Sequence, residues 1–412
     1  MTLLIISPDY ASHLLPLATL GTAWRDRGER VVVATGPATA AIVESFGYER
    51  VNLQLGKGSN PGVIKAEDQP KGEDDALRGF FDATRRGMVE TLTFQAEARL
   101  SDLMWEPVRQ ARAVQQIVAD LQPDQIIVDH LAFSARVGLV AAGISHADVV
   151  LGHPSALPVA GEVYGYPPSW PAAFSPSAAQ LDALRELCER VSVSFTTEWN
   201  TALAELAPSA TPSSSAFEEH GELLLLNYPR ELAPGRDGVF LGSTVRDEPV
   251  DPEVEAWLSN DEPFVYVSFG SFLSVRDDVL QRVVDALEKL GVRAAIATGN
   301  SVVRAPDNWL VRPFLPQVRL LSAAAAAVTH GGNNSVTEAM HHRVPLLVLP
   351  FSTDQFAGAA DIERAGFGVA LAPNEATVDE LADGLRRVLE IEVTLQSTSG
   401  PDLAYASFSK TS

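Results

Sequence analysis

The fold of this chain is indicated most clearly by one stretch, Val328-Thr329-His330-Gly331-Gly332-Asn333-Asn334-Ser335-Val336-Thr337-Glu338. An alanine-rich apolar run over residues 323–328 leads into it and predicts a buried strand. Two glycines then allow a tight turn, and helix-forming residues follow through His342. A strand that passes through a glycine turn into a helix directs free N–H groups and the positive helix end at one point. The stretch therefore predicts an anion site, and the anion that we expect there is a diphosphate.

The segments on either side of this stretch decide whether it is more than an ordinary strand–turn–helix junction. Residues 312–317 precede it and residues 350–355 follow it. Ligands of open α/β sheets bind beyond the carboxyl ends of the strands, where both segments should also emerge. An aromatic side chain, an anion site and an Asp-Gln pair would then line one crevice. They suit a base, a diphosphate and a sugar respectively, and Glu338 can accept hydrogen bonds from neutral sugar hydroxyls.

The run Phe314–Gln355 resembles the donor-binding signature of glycosyltransferase family 1, the GT-B enzymes that use UDP- or TDP-sugars. The family pattern is an aromatic-x-Pro-Gln group, then His-x-Gly-x-(Asn/Gly)-(Ser/Thr)-x-x-Glu, then Gly-Val-Pro, then Pro-x-x-x-Asp-Gln. Every part has a counterpart here, although Arg343 replaces the glycine before Val344-Pro345. A looser resemblance extends over nearly the whole chain, up to about residue 390.

The resemblance implies an α/β fold of the GT-B class, with two Rossmann-like, doubly wound parallel-sheet domains that face each other across a cleft. We expect an N-terminal acceptor-binding domain over residues 1–228 and an interdomain linker over residues 229–260. A C-terminal nucleotide-sugar-binding domain follows over residues 261–390. The family pattern also includes a final helix that crosses back to the first domain. Residues 391–412 depart from that pattern, and we expect a short, poorly helical tail of uncertain structure.

The resemblance also implies a donor site in the second domain. Phe314 stacks on the base with Gln317 nearby, while His330 and the main chain around Gly332–Ser335 stabilise the leaving diphosphate. A sugar is positioned by the Asp-Gln pair. The residues that we assign to this site are Ser271, Phe314, Gln317, His330, Gly332, Asn333, Asn334, Ser335, Glu338, Asp354 and Gln355. No acidic Asp-x-Asp cluster is present in the sequence, so we expect neither a metal nor a cofactor, with the nucleoside-diphosphate sugar as co-substrate.

His13 is the candidate general base. The segment Ser12-His13-Leu14-Leu15-Pro16-Leu17 lies after a short apolar run that predicts the first strand. It matches the family's opening, Gly-His-x-x-Pro-(Leu/Ile), except that serine replaces glycine. The resemblance implies that His13 deprotonates the acceptor hydroxyl. From the residues alone, a histidine near a helix start can equally be a surface or capping residue.

Asp129 is the candidate partner of that base. It follows the apolar strand Gln125–Val128, where the family has an aspartate that orients the catalytic histidine. A carboxylate bonded to one imidazole nitrogen fixes the tautomer and stabilises the imidazolium. The alternatives are that Asp129 caps the following helix, or that His130 is the base, which the motif does not favour.

A segment rich in proline and aromatic residues, 154–176, fits no regular element. Exposed apolar side chains on a loop often mark a binding surface. We expect Tyr164, Tyr166 and Trp170, together with Phe80 from an earlier helix, to bind a hydrophobic acceptor. The alternative is a packed irregular loop without a role in binding.

The overall composition of the chain excludes several classes of partner and site. The formal net charge of −22 argues against nucleic acid as a partner, because nucleic-acid binding needs a basic face. The single cysteine, Cys188, cannot form an intramolecular disulfide or a four-cysteine zinc site. No apolar run approaches about 18 residues, so no membrane span is expected. Without a basic segment ahead of the first apolar run we expect no signal peptide, and we predict a cytoplasmic monomer or homodimer.

These observations predict an inverting, metal-independent transfer of a sugar from a UDP- or TDP-sugar to a hydroxyl of a hydrophobic small molecule, such as an antibiotic aglycone. Two alternatives remain open from the sequence. One is a non-catalytic auxiliary protein of the same fold, and the other is a nucleotide-sugar epimerase.

Overall fold

The computed structural model shows an N-terminal domain built on a seven-stranded parallel sheet. The structure describes residues 1–62, 73–101, 104–159, 161–270, 276–299, 301–396 and 398–411. The strands of the first sheet are β1 (Thr2–Ile6), β2 (Arg30–Thr35), β3 (Glu49–Asn52), β4 (Gln125–Asp129), β5 (Ala147–Val150), β6 (Leu223–Leu226) and β7 (Val239–Phe240). The accompanying helices are α1 (Ala11–Arg25), α2 (Ala40–Ser45), α3 (Glu73–Thr84), α4 (Met88–Ser101), α5 (Pro107–Leu121), α6 (Phe133–Ala141) and α7 (Ala178–Leu206).

A second parallel sheet of six strands forms the C-terminal domain. Its strands are β8 (Phe264–Ser268), β9 (Arg293–Ala297), β10 (Leu310–Arg312), β11 (Ala326–Thr329), β12 (Leu346–Val348) and β13 (Gly368–Ala370). The remaining helices are α8 (Pro252–Leu258), α9 (Asp277–Leu290), α10 (Gln317–Leu321), α11 (Asn333–His341), α12 (Gln355–Ala365), α13 (Val378–Val388) and α14 (Gly400–Thr411). Within the described ranges, no helix combines the length and the apolar composition needed to cross a membrane.

Both sheets have the doubly wound strand order. The first is β3-β2-β1-β4-β5-β6-β7 and the second is β10-β9-β8-β11-β12-β13, with parallel pairing at the centre of each. The order reverses between β1 and β4 in one sheet and between β8 and β11 in the other. Crevices for ligands form at the carboxyl ends of strands at such points. The predicted pair of doubly wound domains is therefore confirmed, and each domain carries one such crevice.

The central strands are apolar on both faces because helices cover both sides of each sheet. Leu3, Leu4, Ile5 and Ile6 of β1 are all fully buried. A continuous apolar run, rather than an alternating one, is typical of a strand in this position.

The first domain extends further along the chain than the sequence predicts. Strand β7 lies inside the segment predicted as a linker, and it pairs with β6 through Leu225 and Val239. Helix α8 lies inside the same segment, and Trp257 on it packs edge-on against Phe264 of β8 at a ring-centroid distance of 5.0 Å. The linker over residues 229–260 is thus too long in the prediction. A two-residue strand has too short an apolar run to be distinguished from a loop.

The C-terminal segment is helical, contrary to the expectation of a poorly helical tail. Helix α14 packs on α1, where Trp24 contacts Tyr405 and Phe408 at centroid distances of 5.1 and 5.8 Å. At its start, Ser399 Oγ accepts a hydrogen bond from Asp402 N (3.3 Å) and donates one to the Asp402 carboxylate (2.8 Å). This serine–aspartate spacing is a helix-start signal. The chain therefore crosses back to the first domain, as the family pattern implies.

Arg343 adopts a backbone conformation that explains the glycine of the family pattern. Its φ is +59°, in the left-handed region just after α11. Residues other than glycine are strained there because of their Cβ atom. The Arg343 side chain donates a hydrogen bond from Nε to the main-chain oxygen of Leu395 (2.9 Å), which offsets part of that strain.

We expect Phe408→Ala to lower the free energy of unfolding by about 3 kcal/mol, the usual cost of removing a buried phenylalanine ring. Phe408 is 9% exposed at the contact with α1. The control is Ser409→Ala on the exposed face of the same helix. Urea denaturation measures both, and equal stability of the two variants would contradict the docked position of α14.

Arg343→Ala and Arg343→Gly both lose the hydrogen bond to Leu395, but only glycine adopts the positive φ without a steric cost. We expect the glycine variant to be the more stable of the two by about 1 kcal/mol. The same denaturation measurement tests this, and an advantage for alanine would show that the left-handed conformation at Arg343 is not retained.

Candidate active site

His13 lies in the first turn of α1, at the carboxyl edge of the first sheet. The loop that carries it is held on two sides. The Asp9 carboxylate accepts hydrogen bonds from the main-chain N–H (2.9 Å) and the hydroxyl (2.8 Å) of Thr39. Asn60 donates its main-chain N–H to the Asp9 main-chain oxygen (2.8 Å) and accepts from Ala11 N (2.7 Å). These bonds fix the direction from which α1 starts, and with it the position of the imidazole.

His13 and Asp129 form a hydrogen-bonded pair across the reversal point of the first sheet. His13 Nδ1 lies 2.7 Å from Asp129 Oδ2, and the other carboxylate oxygen accepts from Leu131 N at 2.8 Å. The Asp129 side chain is 1% exposed, whereas that of His13 is 27% exposed. Because the carboxylate accepts, Nδ1 carries the hydrogen in the neutral ring. The lone pair is then on Nε2, which suits a general base.

The pKa of His13 reflects two opposing effects. Burial acts to lower the pKa, but the charge of Asp129 and its hydrogen bond outweigh burial and raise the pKa above the ordinary value. The Asp354 carboxylate of the second domain acts in the same direction as Asp129. Residues from both domains therefore set the proton affinity of this imidazole.

The start of α11 has the geometry expected of an anion site. Gly331 has a φ of +84°, and a Cβ at Gly332 would lie 2.4 Å from His330 Nε2, so neither position accommodates a side chain. The helix begins without a side-chain cap. The first N–H groups of a helix lack intrahelical acceptors, and here they remain available for an anion.

His330 is neutral near pH 7. Burial lowers its pKa to about 4, although the Asp354 carboxylate acts in the opposite direction. Gly270, just after β8, lies against the ring, because a Cβ there would come 2.8 Å from His330 Cε1. Because the neutral ring carries no charge, His330 can stabilise an anion there only through a hydrogen bond.

The residues predicted to bind the nucleoside lie together. Phe314 is 59% exposed and presents an open ring. Glu338 is buried, and its two oxygens accept from Gln317 Nε2 (2.6 Å) and Arg246 Nη1 (2.7 Å). Burial raises the pKa of Glu338, against the opposing effect of Arg246. The sequence analysis did not identify Arg246, because it lies in the predicted linker. No motif in that segment distinguishes it from the other arginines there.

Asp354 and Gln355 lie at the start of α12, with different partners. Asp354 Oδ2 accepts a hydrogen bond from the main-chain N–H of His153 in the first domain (2.7 Å). The Gln355 side chain is buried and accepts from the main-chain N–H groups of Phe351 (3.0 Å) and Ser352 (3.1 Å). Gln355 thus stabilises its own loop in this arrangement, and a sugar-binding role for the pair stays a prediction.

Hydrogen bonds between the domains bring the two crevices together. Asn334 Nδ2 donates to the main-chain oxygen of Ser12 (2.9 Å), directly before the candidate base. Asn333 Nδ2 donates to the main-chain oxygens of Leu151 (2.6 Å) and Asn227 (3.0 Å). The anion site of the second domain therefore contacts the edge that carries His13 in the first.

A family model described as UDP-glucoronosyl and UDP-glucosyl transferase matches residues 194–395. That range contains every strand of the second sheet and the stretch Phe314–Gln355. Residues 194–395, just under half of the chain, therefore match this glycosyltransferase family. The resemblance to glycosyltransferase family 1 found in the sequence is therefore confirmed.

Characterised and uncharacterised relatives match the same part of the chain. The uncharacterized UDP-glucosyltransferase YdhE of Bacillus subtilis is 29% identical over 181 residues, which cover 41% of this chain and 45% of that protein. Human UDP-glucuronosyltransferase 3A1 is 31% identical over 210 residues, which cover 46% of this chain and 40% of that protein. The chain thus spans less than half the length of these curated relatives.

Solved glycosyltransferase structures match nearly the whole chain. The spinosyn forosaminyltransferase SpnP superposes with a TM-score of 0.64 at 20% identity, covering 98% of this chain and 93% of that one. The glycosyltransferase VinC, solved in complex with DTDP, gives a TM-score of 0.63 at 20% identity, covering 98% and 94%. These likenesses establish the GT-B fold of two facing Rossmann-like domains.

The residues predicted to bind an acceptor pack against other aromatic or apolar side chains to different degrees. Phe80 is 7% exposed and lies within the core of the second domain, which leaves its ring little surface for an acceptor. Tyr164 stacks on Phe217 at a centroid distance of 3.8 Å, and Tyr166 contacts Trp170 edge-on at 6.4 Å. The three aromatic residues of the loop remain partly exposed. Phe80 is therefore a core residue, while an acceptor role for the loop stays a prediction.

Ser271, a predicted donor-binding residue, and His130, the alternative general base, remain to be located. Ser271 lies outside the described residues. His130, the rival base, is 1% exposed, and its Nε2 lies 3.2 Å from the main-chain oxygen of Ala156. Burial and the nearby Arg136 guanidinium lower the pKa of His130. An imidazole without solvent access has no path to an acceptor, so the geometry favours His13.

We expect the pKa of His13, followed by NMR titration, to lie above the ordinary value of about 6.5. In Asp129→Asn the carboxylate charge is lost while burial remains, so the pKa of His13 should fall below that of the unaltered protein. An unshifted His13 in the variant would show that Asp129 does not set its pKa.

Proposed function

We propose that this protein transfers a sugar from a nucleoside diphosphate to a hydroxyl group of a hydrophobic small molecule, with inversion at the anomeric carbon. The observation that carries the proposal is the bond between His13 and Asp129, at an edge of the first domain that contacts the start of α11. A base and an anion site then flank one cleft, as direct displacement of a diphosphate requires.

In the proposed reaction, Nε2 of His13 accepts the proton of the acceptor hydroxyl as its oxygen bonds to the anomeric carbon. The bond between that carbon and the diphosphate oxygen breaks, and its electron pair leaves with the diphosphate. Asp129 stabilises the imidazolium that forms. Because the base and the anion site belong to opposite domains, the oxygen attacks on the side away from the leaving group, which inverts the configuration.

The donor in this proposal is a UDP- or TDP-sugar. The nucleobase of the donor stacks on the exposed Phe314, and Glu338 and Gln317 bind the nucleoside. Asp354 and Gln355 bind the sugar hydroxyls after exchanging their present partners. The description of the family model names UDP-sugars, whereas VinC and SpnG were solved with thymidine diphosphate. Both nucleotides are therefore candidates.

The same proposal requires no metal ion. The leaving diphosphate is held by main-chain N–H groups around Gly332–Ser335, by the α11 dipole and by an N–H of neutral His330. A helix N-terminus contributes about 0.3–1 kcal/mol, rising to ~2 kcal/mol when it is partly buried. The acceptor is a hydrophobic natural product, in keeping with neighbours named for kitacinnamycin and calicheamicin.

The test is a donor panel with one variant and one control. UDP, TDP and their glucose conjugates are screened by thermal shift, and those that bind are assayed for transfer to hydrophobic aglycones with and without EDTA. We expect His13→Ala to lower turnover by about 10²–10⁴-fold, the usual contribution of a positioned base, with nucleotide binding retained. His220→Ala, at an exposed histidine of the same domain, should leave turnover unchanged, as should EDTA.

Other outcomes would contradict the proposal. Turnover that survives in His13→Ala would remove His13 from the role of base. Nucleotide binding without transfer to any acceptor would favour a non-catalytic binding protein. Conversion of the donor sugar in the absence of an acceptor would favour an epimerase. Retention of configuration in the product, read from the anomeric proton coupling, would exclude the direct displacement.

A further inference from the structure

A buried carboxamide near the interface between the domains has no hydrogen-bond partner among the described residues. Asn227 directly follows β6 and is 1% exposed. Neither Nδ2 nor Oδ1 of its side chain has a hydrogen-bond partner among the residues that the structure describes. Its main chain is fully engaged, since the N–H donates to Val150 O (3.0 Å) and the oxygen accepts from Asn333 Nδ2 (3.0 Å).

A buried amide without hydrogen-bond partners lowers the stability of the folded protein. A buried donor or acceptor without a partner costs about 1–3 kcal/mol, and Asn227 has both. Leucine has nearly the same shape and no polar atoms. Of the described side chains with unpartnered buried atoms, Asn227 alone has two of them. Unpaired buried groups of this kind often mark a ligand that is bound in another state.

The position of Asn227 indicates which ligand. On one side it contacts Asn333 at the start of α11, where the proposed function places the diphosphate. On the other side lies the segment after β5, in which His153 N donates to Asp354 Oδ2. The proposed function assigns Asp354 to the sugar. Asn227 therefore lies between the residues for the diphosphate and those for the sugar, at the interface between the domains.

We propose that the Asn227 carboxamide binds a hydroxyl group of the transferred sugar, which makes it a donor-binding residue contributed by the N-terminal domain. A hydroxyl both donates and accepts, so it can satisfy Oδ1 and Nδ2 of an amide, whereas a phosphate oxygen can satisfy only Nδ2. This inference rests on the proposed function. In this proposal the sugar reaches the amide when the domains separate, because Asn227 is bonded through its main-chain oxygen to Asn333 of the second domain.

The experiment compares Asn227→Leu with the unaltered protein. Calorimetry gives the dissociation constants of UDP and UDP-glucose, and of TDP and TDP-glucose, and the measured quantity is the ratio of sugar-nucleotide to nucleotide affinity. We expect the variant to bind the bare nucleotide within about twofold of the unaltered protein. Its relative affinity for the sugar nucleotide should fall roughly tenfold, the effect of losing hydrogen bonds of this kind. Its melting temperature should be equal or higher.

A matched control is Ser243→Ala. The Ser243 hydroxyl is also buried, at 3% exposure, and has no partner among the described residues, but the hydrogen bonds that join Asn333 and Asn334 to the first domain do not involve it. Its removal should leave both affinities unchanged. A second variant, Asn227→Ala, removes the amide without adding an apolar branch, and it should reproduce the change in the affinity ratio.

Each remaining result is decisive. An unchanged affinity ratio in both Asn227 variants overturns the proposal, and so does an equal loss for nucleotide and sugar nucleotide, which would place the amide at the diphosphate. Lower stability or loss of folded protein in both variants would assign the side chain to the fold instead. Failure of the proposed function is distinguishable, because the unaltered protein itself would then either bind neither nucleotide or bind a sugar nucleotide without transferring its sugar.

Discussion

The contact between the start of α11 and the carboxyl edge of the first sheet is the interaction on which the cleft depends. Main-chain oxygens just beyond parallel strands are acceptors that the sheet does not satisfy. The side-chain amides of Asn333 and Asn334 supply donors to those of Leu151, Asn227 and Ser12. The bonds that align the two domains are therefore made by residues of the anion site itself. Aligning the domains through these bonds therefore also brings the two halves of the candidate site together.

Local electrostatics in this cleft differ from the overall charge. The chain has a formal net charge of −22, yet the candidate anion site needs no cluster of cations. It relies on main-chain N–H groups and on His330, which burial keeps neutral. The pKa of His330 is lowered by burial, whereas the pKa of His13 is raised because Asp129 outweighs the effect of burial. Two imidazoles near one cleft thus differ in proton affinity, because His13 is hydrogen-bonded to a buried carboxylate whereas burial dominates at His330.

Other ties between the domains come from residues that no local pattern connects. His153 Nε2 lies 2.9 Å from Asp361 Oδ2, and Tyr228 donates to the same oxygen at 2.9 Å, although His153 and Asp361 are 208 positions apart. Asn374 of the second domain donates to the Thr84 main-chain oxygen at the end of α3 (2.9 Å). These polar contacts, together with the packing of α14, hold the domains in their relative position.

By itself, the sequence indicated parallel α/β sheets and a candidate anion site at α11, because apolar runs and glycine turns are local properties of the chain. The family resemblance implied the two facing domains and the pairing of His13 with Asp129, which the structure places 2.7 Å apart. The tertiary structure decided that β7 joins the first sheet, that α14 docks on α1, that Phe80 is buried and that Arg246 pairs with Glu338. It also decided that the Asn227 side chain is buried with no hydrogen-bond partner in the part of the chain that the structure describes. Each of these depends on which distant surfaces meet, because burial and hydrogen bonding across a domain interface are set by packing and not by neighbours in the chain.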